Sequence, residues 1–269
     1  MDNYVLLDKI GKGGFATVYR CQHLHSHTHY ACKVINKHLP GNNRIKVHNE
    51  INVINRLISK GVINIPRLHE SFEDSNNFYL IQDLCQGGSL NMSSFDESHT
   101  RLIIHNLLQA LKHIHQSGFI HKDIKHDNIL FSHRDSHPDS LKICDFGLAM
   151  ECDSFDDLRV MNKIRGTPWF LAPECSYFLV GPKSDVWSVG VITYMMLSGS
   201  YPFCHNNTIT NINQLWTSIR NDEPSFTEEI WQNISKEAID FIKYCFIKPP
   251  TSRPSSHDCL THSWFLLHR

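Results

Sequence analysis

The pattern of apolar residues changes near residues 83–88, and this change constrains the fold more than any other feature of the sequence. Before it, short β-branched and aromatic runs alternate with turn residues, and one stretch has helical spacing. After it, apolar residues recur mainly at helical spacing. We therefore predict an α+β protein with two lobes in a single domain of residues 1–269. Residues 1–84 form a small β-rich lobe with one main helix, and residues 85–269 form a hinge and a larger, mostly helical lobe.

The individual elements follow from the same patterns. Gly118 is expected to end one helix, Ser184 to cap another and Gly199 to stop it. Strands are predicted at residues 4–10, 17–24, 29–35, 67–72 and 78–83, and helices at residues 45–58, 100–117, 185–197, 213–220, 236–246 and 256–260.

Composition excludes several classes of protein. Of the 269 residues, 41% are hydrophobic, which is enough for a core and excludes intrinsic disorder. The 26 basic and 27 acidic residues give a net charge of −1, so the charge balance gives no support for nucleic-acid or membrane-surface binding. A membrane span needs about 20 apolar residues, and the longest candidate, residues 186–197, is shorter than that.

The cysteines and the N-terminal residues indicate a cellular compartment. Nine cysteines are scattered without a C-x-x-C pair, which is typical of a reduced protein rather than a disulfide framework. The first residues lack the apolar stretch of a signal peptide. We expect an intracellular protein located in the cytoplasm, and the sequence is also compatible with a nuclear location.

A glycine-rich segment, residues 11–18, lies between the first two predicted strands. Glycines let a backbone approach a polyphosphate and point N–H groups at it. The alternative is an ordinary hairpin turn. The segment is not a Walker A loop, because no Gly-Lys-Ser/Thr follows, and it is a poor dinucleotide fingerprint, because a strand comes next.

Lys33 lies within an apolar strand, where a buried ammonium group needs a partner. Glu50, on the following helix, is the candidate. The alternative is a solvated lysine at a strand edge, which is the commoner situation for a strand lysine.

The centre of the chain concentrates polar residues suited to divalent-metal and proton chemistry. Asp123 and Asn128 lie close together, and Asp145 follows in the run Cys-Asp-Phe-Gly. Carboxylate and amide oxygens are suitable ligands for a hard divalent ion that bridges phosphates. A remaining carboxylate could accept a proton from a hydroxyl group.

These segments together resemble the eukaryotic protein kinases over essentially the whole chain. The glycine-rich loop, Ala-x-Lys, His-x-Asp-x-Lys-x-x-Asn, Asp-Phe-Gly and Ala-Pro-Glu occur in the order and at the spacing of that family. Lys125 and the run Gly-Thr-Pro at residues 166–168 are similar to the serine/threonine branch. The C-terminal segments most resemble the calcium/calmodulin-dependent and calcium-dependent kinases, and the glycine-rich loop also resembles that of polo-like kinases.

The resemblance implies ATP and Mg²⁺ as cofactors and protein substrates as partners. It implies that Asp123 orients the substrate hydroxyl and accepts its proton, that Lys125 steadies the phosphoryl group, and that Asn128 and Asp145 hold the metal. The implied nucleotide-binding residues are Ile10, Gly11, Lys12, Gly13, Gly14, Phe15, Ala16, Val18, Ala31, Lys33, Glu50, Gln82, Asp83, Cys85 and Leu130. Among these, Lys33 pairs with Glu50, Gln82 is the gatekeeper, and the backbone of Asp83 and Cys85 contacts the adenine edge.

Two departures from the family pattern bear on regulation. Lys122 stands where many kinases have an arginine that grips a phosphorylated loop residue, and residues 145–174 contain only two hydroxyl side chains, Ser154 and Thr167. We therefore expect activity without loop phosphorylation. An acidic cluster, Asp153, Asp156 and Asp157, either supplies ordering charge or is simply solvated. The chain contains no EF-hand loop and no calmodulin-binding tail, so we expect no direct calcium control within it.

Three functions remain open. The leading one is an active serine/threonine protein kinase, which we expect to be a monomer. The alternatives are a pseudokinase scaffold that binds partners without catalysis, and a small-molecule kinase. Two minor features also have two interpretations each: His23, His25, His27 and His29 are either a Zn²⁺ site or a solvated turn, and Cys144 is either a target for electrophiles or a packing residue.

Overall fold

A computed structural model describes residues 3–14, 16–39, 44–92, 96–203 and 211–266. The chain divides into two compact units. The first contains Met1–Gly88 and Leu130–Gly147, and the second contains Ser89–Ile129 and Leu148–Arg269. The predicted α+β class, with strands in the first part of the chain and helices in the second, is confirmed.

The first unit is built on a five-stranded antiparallel sheet in which the first three strands are neighbours in chain order and the fifth lies between the third and the fourth. All five strands were predicted, and their ends differ from the prediction by no more than two residues. The strands are β1 (Tyr4–Lys12), β2 (Thr17–His23), β3 (His29–Asn36), β4 (Leu68–Glu73) and β5 (Asn77–Gln82), and one helix, α1 (Arg44–Ser59), lies between β3 and β4.

Alternation along the central strands builds a core on both faces of this sheet. Cys21, Cys32 and Ile81 lie in one buried cluster, while Ile35 and Leu80 lie in another. The second cluster includes Val47 of α1, so the helix packs against that face. The central parts of these strands are accordingly apolar, namely residues 30–35 of β3 apart from Lys33, and residues 78–81 of β5.

A later segment of the chain groups with this first unit. The amide of Gly87 donates to the Phe131 carbonyl at 2.9 Å, and the amide of Ile143 donates to the Asn64 carbonyl at 2.8 Å. The prediction assigned residues 85–269 to a hinge and the second lobe, whereas residues 85–88 and 130–147 group with the first unit. The strands of this segment are β8 (Ile129–Phe131) and β9 (Leu141–Ile143).

The second unit is mainly helical. Its longest helix begins at Glu97 rather than at the predicted residue 100, because the Asp96 carboxylate caps it by accepting from the His99 amide at 2.8 Å. The helices are α2 (Glu97–Gln116), α3 (Pro182–Ser198), α4 (Ile212–Asn221), α5 (Lys236–Cys245) and α6 (Ser256–Cys259). Short strands also occur, namely β6 (Gly88–Ser89), β7 (Phe119–Ile120), β10 (Met150–Glu151), β11 (Arg159–Val160) and β12 (Leu179–Val180).

Helix α3 is the buried centre of this unit, and nearly all its residues are inaccessible to solvent. The prediction that Ser184 caps it is wrong, because the N-cap is Gly181 and Ser184 lies one turn inside the helix. A side chain at residue 181 would bring its Cβ within 2.3 Å of the Asp157 carbonyl, so this position requires glycine. Gly199 ends the helix in the left-handed conformation at φ 73°, as predicted.

A buried ion pair anchors α3 to its neighbours. The Arg253 guanidinium donates to both carboxylate oxygens of Glu174, at 2.7 and 2.9 Å, and both side chains are almost wholly buried. Glu174 also accepts from the Ser184 hydroxyl at 2.7 Å, and Arg253 donates to the carbonyls of Ile247 and Lys248. The Arg253 guanidinium and the Glu174 carboxylate therefore neutralise each other, and their two-point contact requires the planar fork of an arginine.

None of the helices in the part of the chain described here could cross a membrane.

Replacing Arg253 with methionine should destabilise the protein by about 3–5 kcal/mol, because it leaves the Glu174 carboxylate buried without its cation. Urea unfolding followed by circular dichroism would measure the change. Arg20→Met is the matched control, since Arg20 pairs with Asp8 at the surface, where such a pair contributes about 1 kcal/mol or less. Equal effects of the two substitutions would contradict the structural role given to Arg253.

Candidate active site

The first unit contains a compact group of three charges. The Lys33 ammonium lies 2.6 Å from Glu50 Oε1 and 2.8 Å from Asp145 Oδ1. Strand β3 presents Lys33 through its pairing with Val18 of β2 and Leu80 of β5, and α1 supplies Glu50. The predicted Lys33–Glu50 pair is thus present, and the alternative of a solvated edge lysine is not what the structure has.

Burial and charge act in opposite directions on the pKa of Lys33. Burial alone lowers it, but the carboxylates of Glu50 and Asp145 outweigh that effect, and the net shift is upward. The ammonium therefore stays charged throughout the physiological range. The Asp145 side chain is 45% exposed, so the group can be reached from solvent on that side.

The glycine-rich segment is a hairpin turn between β1 and β2. Gly11 pairs with Val18 and Lys12 pairs with Thr17, and the Gly13 amide donates to the Ala16 carbonyl at 2.9 Å. Phe15, one of the residues assigned to nucleotide binding, lies outside the described residues. The two interpretations of the segment do not exclude each other, since a hairpin turn with exposed glycines can also present its amides to an anion.

The residues assigned to the adenine ring are all in the first unit. Gln82 pairs with Ala31 at the ends of β5 and β3. The Asp83 carboxylate accepts from the Arg67 amide at 2.9 Å and from His69 Nε2 at 2.7 Å. These bonds hold the side chain of Asp83, whereas the role implied for this residue belongs to its backbone. The apolar members of the set keep exposed surface: Ile10 is 46% exposed, and Val18, Ala31 and Leu130 are half-buried.

The second unit holds Asp123 in a network of hydrogen bonds. Its Oδ1 accepts from the amide and the hydroxyl of Thr167, at 2.9 and 2.8 Å. Asn128 Nδ2 donates to the Asp123 carbonyl at 2.8 Å and to its Oδ2 at 3.2 Å. Lys125 Nζ lies 3.0 Å from the Thr167 hydroxyl and 3.4 Å from Asp123 Oδ2. The carboxylate is therefore fixed in orientation beside a cation.

This network has a clear chemical capacity. An oriented carboxylate can accept a proton from an alcohol, and an adjacent ammonium can neutralise an incoming negative charge. Because the amide nitrogen of Asn128 is used to hold Asp123, the amide oxygen is the atom of that side chain suited to a cation.

A buried aspartate supports the segment that carries Asp123. Asp185 Oδ2 accepts from the His121 amide and Oδ1 accepts from the Lys122 amide, both at 2.9 Å. Lys122 has φ 73°, a left-handed conformation that costs a residue with a side chain roughly 1–2 kcal/mol. Burial raises the pKa of Asp185, but the hydrogen bonds from the His115 side chain and the His121 amide lower it, and the net shift is downward. No local sequence signal indicates this support, because residues 121 and 122 lie more than sixty positions from Asp185.

The Lys122 side chain differs from what a phosphate-gripping residue would need. Burial and the positive charge of Arg165 lower its pKa. Both effects disfavour the ammonium form of Lys122, whereas binding a phosphate group at this position would require a positive charge.

The acidic cluster of the loop is paired with cations. Arg159 lies 2.6 Å from Asp153 and 2.6 Å from Asp157, and Lys183 lies 2.7 Å from Asp156. Hydrogen bonding from the Asp153 amide, followed by Arg159, lowers the pKa of Asp157. The ordering interpretation of these carboxylates is therefore favoured over simple solvation.

The two minor features have structural answers as well. His27 adopts the left-handed conformation at φ 57°, which breaks the alternation from His23 to His29, and no group of three metal-binding side chains occurs among the residues that the structure describes. Burial raises the pKa of Cys144, as does the Asp145 carboxylate, so its thiol stays protonated and packs as a small residue.

The thiol of Cys85 should react slowly with alkylating agents, because burial and the Asp83 carboxylate raise its pKa to about 11. At pH 8 the folded protein should be alkylated by iodoacetamide at Cys85 at least about tenfold more slowly than the urea-unfolded protein, since the loss of thiolate exceeds the gain in nucleophilicity. Peptide mass spectrometry of timed samples would measure both rates. Equal rates would contradict the proposed environment of this thiol.

Comparison with known proteins adds independent observations. Residues 4–265 match the protein kinase domain family. A calcium/calmodulin-dependent protein kinase, cmkB of Emericella nidulans, is 36% identical over 95% of this chain and 63% of its own length. Calcium/calmodulin-dependent protein kinase type I of Schizosaccharomyces pombe is 34% identical over 94% of this chain and 75% of its own length. Calcium-dependent protein kinase 12 of Arabidopsis thaliana is 31% identical over 98% of this chain and 54% of its own length. The chain thus spans less than two thirds of several of the relatives it matches.

Proposed function

Because this chain belongs to the protein kinase family and its relatives are serine/threonine kinases, we propose that it transfers the γ-phosphoryl group of ATP in line to serine or threonine hydroxyls of protein substrates, with Mg²⁺. The observation that carries the proposal is the fixed Asp123 carboxylate. Thr167 holds one of its oxygens, and Asn128 and Lys125 lie beside the other. A carboxylate so oriented suits the acceptance of a substrate hydroxyl proton.

The Lys33 group supports the ATP assignment. Its ammonium is charged and paired with Glu50, and it suits contact with the α- and β-phosphates. Lys125 suits the transferring phosphoryl group, which carries negative charge through the reaction. A turnover of ~10 per second corresponds to an activation barrier of about 16 kcal/mol for the catalysed reaction. Positioning and charge neutralisation have to lower the barrier of the uncatalysed transfer to that value.

The side chains assigned to Mg²⁺ have suitable chemistry. Asp145 offers a carboxylate and Asn128 an amide oxygen, and hard divalent ions prefer such oxygen ligands. When bound, Mg²⁺ neutralises charge on the phosphates. Asp145 has φ 65°, a conformation that aspartate tolerates better than most residues, and Lys33 holds its Oδ1.

The second candidate is a pseudokinase scaffold. The presence of Lys33, Asp123, Asn128 and Asp145, with Lys33 and Asp123 in ordered contacts, favours catalysis over it. An assay of ATP turnover with Mg²⁺ and a generic protein substrate separates the two. A small-molecule kinase is disfavoured by Lys125, by the Ala-Pro-Glu run at residues 172–174 and by the relatives, which are named as protein kinases. The monomeric state and the intracellular location stay predictions.

Asp123→Ala should slow phosphoryl transfer by about 10²–10⁴-fold while ATP binding changes little, because the lost group acts on the hydroxyl and not on the nucleotide. Single-turnover transfer to a generic substrate and ATP titration by calorimetry would measure the two quantities. Asp240→Ala, on the exposed face of α5, is the control and should keep the wild-type rate. A full rate in Asp123→Ala would contradict the role proposed for this carboxylate.

We also propose that the loop between residues 145 and 174 is ordered without phosphorylation. Arg159 and Lys183 already pair with the carboxylates of Asp153, Asp156 and Asp157, so the negative charge of the loop is paired with one cation of the loop and one of α3. Lys122, with its lowered pKa and without the forked geometry of arginine, is poorly suited to grip a phosphate.

Bacterially expressed, phosphatase-treated protein should therefore be active, and Ser154→Ala should match it. Arg159→Met should lower the turnover number and speed amide exchange in residues 153–160, because it releases two carboxylates at once. Lys163→Met is the control, since it removes a loop cation without touching Asp153 or Asp157. Activity that appears only after Ser154 is phosphorylated would overturn this proposal.

A further inference from the structure

Three helices of the second unit contribute polar side chains to one buried row. His115 of α2 has Nε2 at 2.9 Å from Asp185 Oδ2 of α3 and Nδ1 at 2.9 Å from the Ser256 hydroxyl of α6. Ser256 is fully buried, and the His115 and Asp185 side chains are 0% and 1% exposed. Phe155 of the loop packs edge-on against the His115 ring, with centroids 6.2 Å apart. The proposed phosphoryl transfer uses neither His115 nor Ser256.

The hydrogen bonds fix which ring nitrogen of His115 carries the hydrogen. The Asp185 carboxylate can only accept, because both of its oxygens already accept from backbone amides, so Nε2 must be the donor. In the neutral ring Nδ1 is then an acceptor, and the Ser256 hydroxyl donates to it. Asp185 thereby selects the tautomer, and the Ser256 hydroxyl, which could donate or accept, completes the hydrogen bonding of the ring as a donor.

Asp185 passes this constraint to the catalytic loop. The same Oδ2 that accepts from His115 also accepts from the His121 amide, and Oδ1 holds the amide of Lys122, the residue in the left-handed conformation next to Asp123. An unfavourable backbone conformation persists only where its surroundings determine it fully. A carboxylate that is free to turn about its own bonds would hold these two amides less well than one fixed by a third donor.

We propose that Ser256 and His115 are positioning residues for the catalytic loop: together they fix Asp185, which fixes the backbone that carries Asp123. This inference rests on the proposed phosphoryl transfer for its kinetic part. The three side-chain types are those of a hydrolytic triad, but a fully buried serine hydroxyl that donates to the histidine cannot act as a nucleophile on a substrate.

The test uses Ser256→Ala, which removes one hydroxyl and leaves His115 Nδ1 without its donor. The turnover number should fall by about tenfold, which is less than the roughly 10²-fold loss that a 1 Å misplacement can cause. The KM for ATP should stay unchanged, because Lys33, Glu50 and Asp145 belong to the other unit. In ¹⁵N spectra of histidine-labelled protein, both proteins should show His115 protonated at Nε2, because Asp185 selects that tautomer. In Ser256→Ala the Nδ1 resonance should shift toward that of an acceptor nitrogen without a hydrogen bond. The amides of His121 and Lys122 should exchange faster.

Thr193→Val is the matched control, because Thr193 is a fully buried residue of α3 whose hydroxyl donates to the Val189 carbonyl of its own helix. It should lower stability without changing the turnover number or the exchange of the Lys122 amide relative to its neighbours. A Ser256→Ala protein with the wild-type turnover number and the amide exchange of the control would overturn the inference. If the wild type transfers no phosphoryl group, the proposed function fails, and the Nδ1 resonance and the amide-exchange measurements still decide whether Ser256 and His115 position the loop.

Discussion

The requirement that a buried charge be paired governs both units of this protein. Asp185 shows it most clearly: its carboxylate lies at the centre of the helical unit and is stabilised by two backbone amides and a histidine. Without those donors the charge would be too costly to bury, and without the charge the amides of residues 121 and 122 would lose their acceptor. The same interaction therefore stabilises the core and shapes the segment that carries Asp123.

The first unit solves the same problem with side chains alone. Lys33 is carried by a strand with apolar neighbours on both faces, and it remains charged because α1 and the segment after β9 each bring a carboxylate to it. The position of α1 is thus tied to the ionic state of the site as well as to the packing of Val47. Packing and charge select the same arrangement, which is the consistency expected of a sequence that specifies one structure.

The features that could be predicted from the sequence are those that local patterns and motifs encode. The sheet strands were placed within two residues because alternation and turn residues are local signals, and the individual site residues came from motif resemblance. The cap of α3 was wrong because the need for glycine at residue 181 arises from a carbonyl of Asp157, a contact between distant parts of the chain. For the same reason the bonds of Thr167 to Asp123, and the row from Ser256 to Asp185, had no local signal: each joins residues more than forty positions apart.

The ion pairs of Arg159 have a consequence for the conditions under which the protein works. They lie at the surface, where dissolved ions screen them, whereas the pair between Arg253 and Glu174 is shielded by the core. Raising the salt concentration would therefore loosen the segment around residue 159 long before it weakened the scaffold beneath. If these pairs order the loop without a phosphate, as proposed above, the activity of the protein responds to the ionic strength of its surroundings.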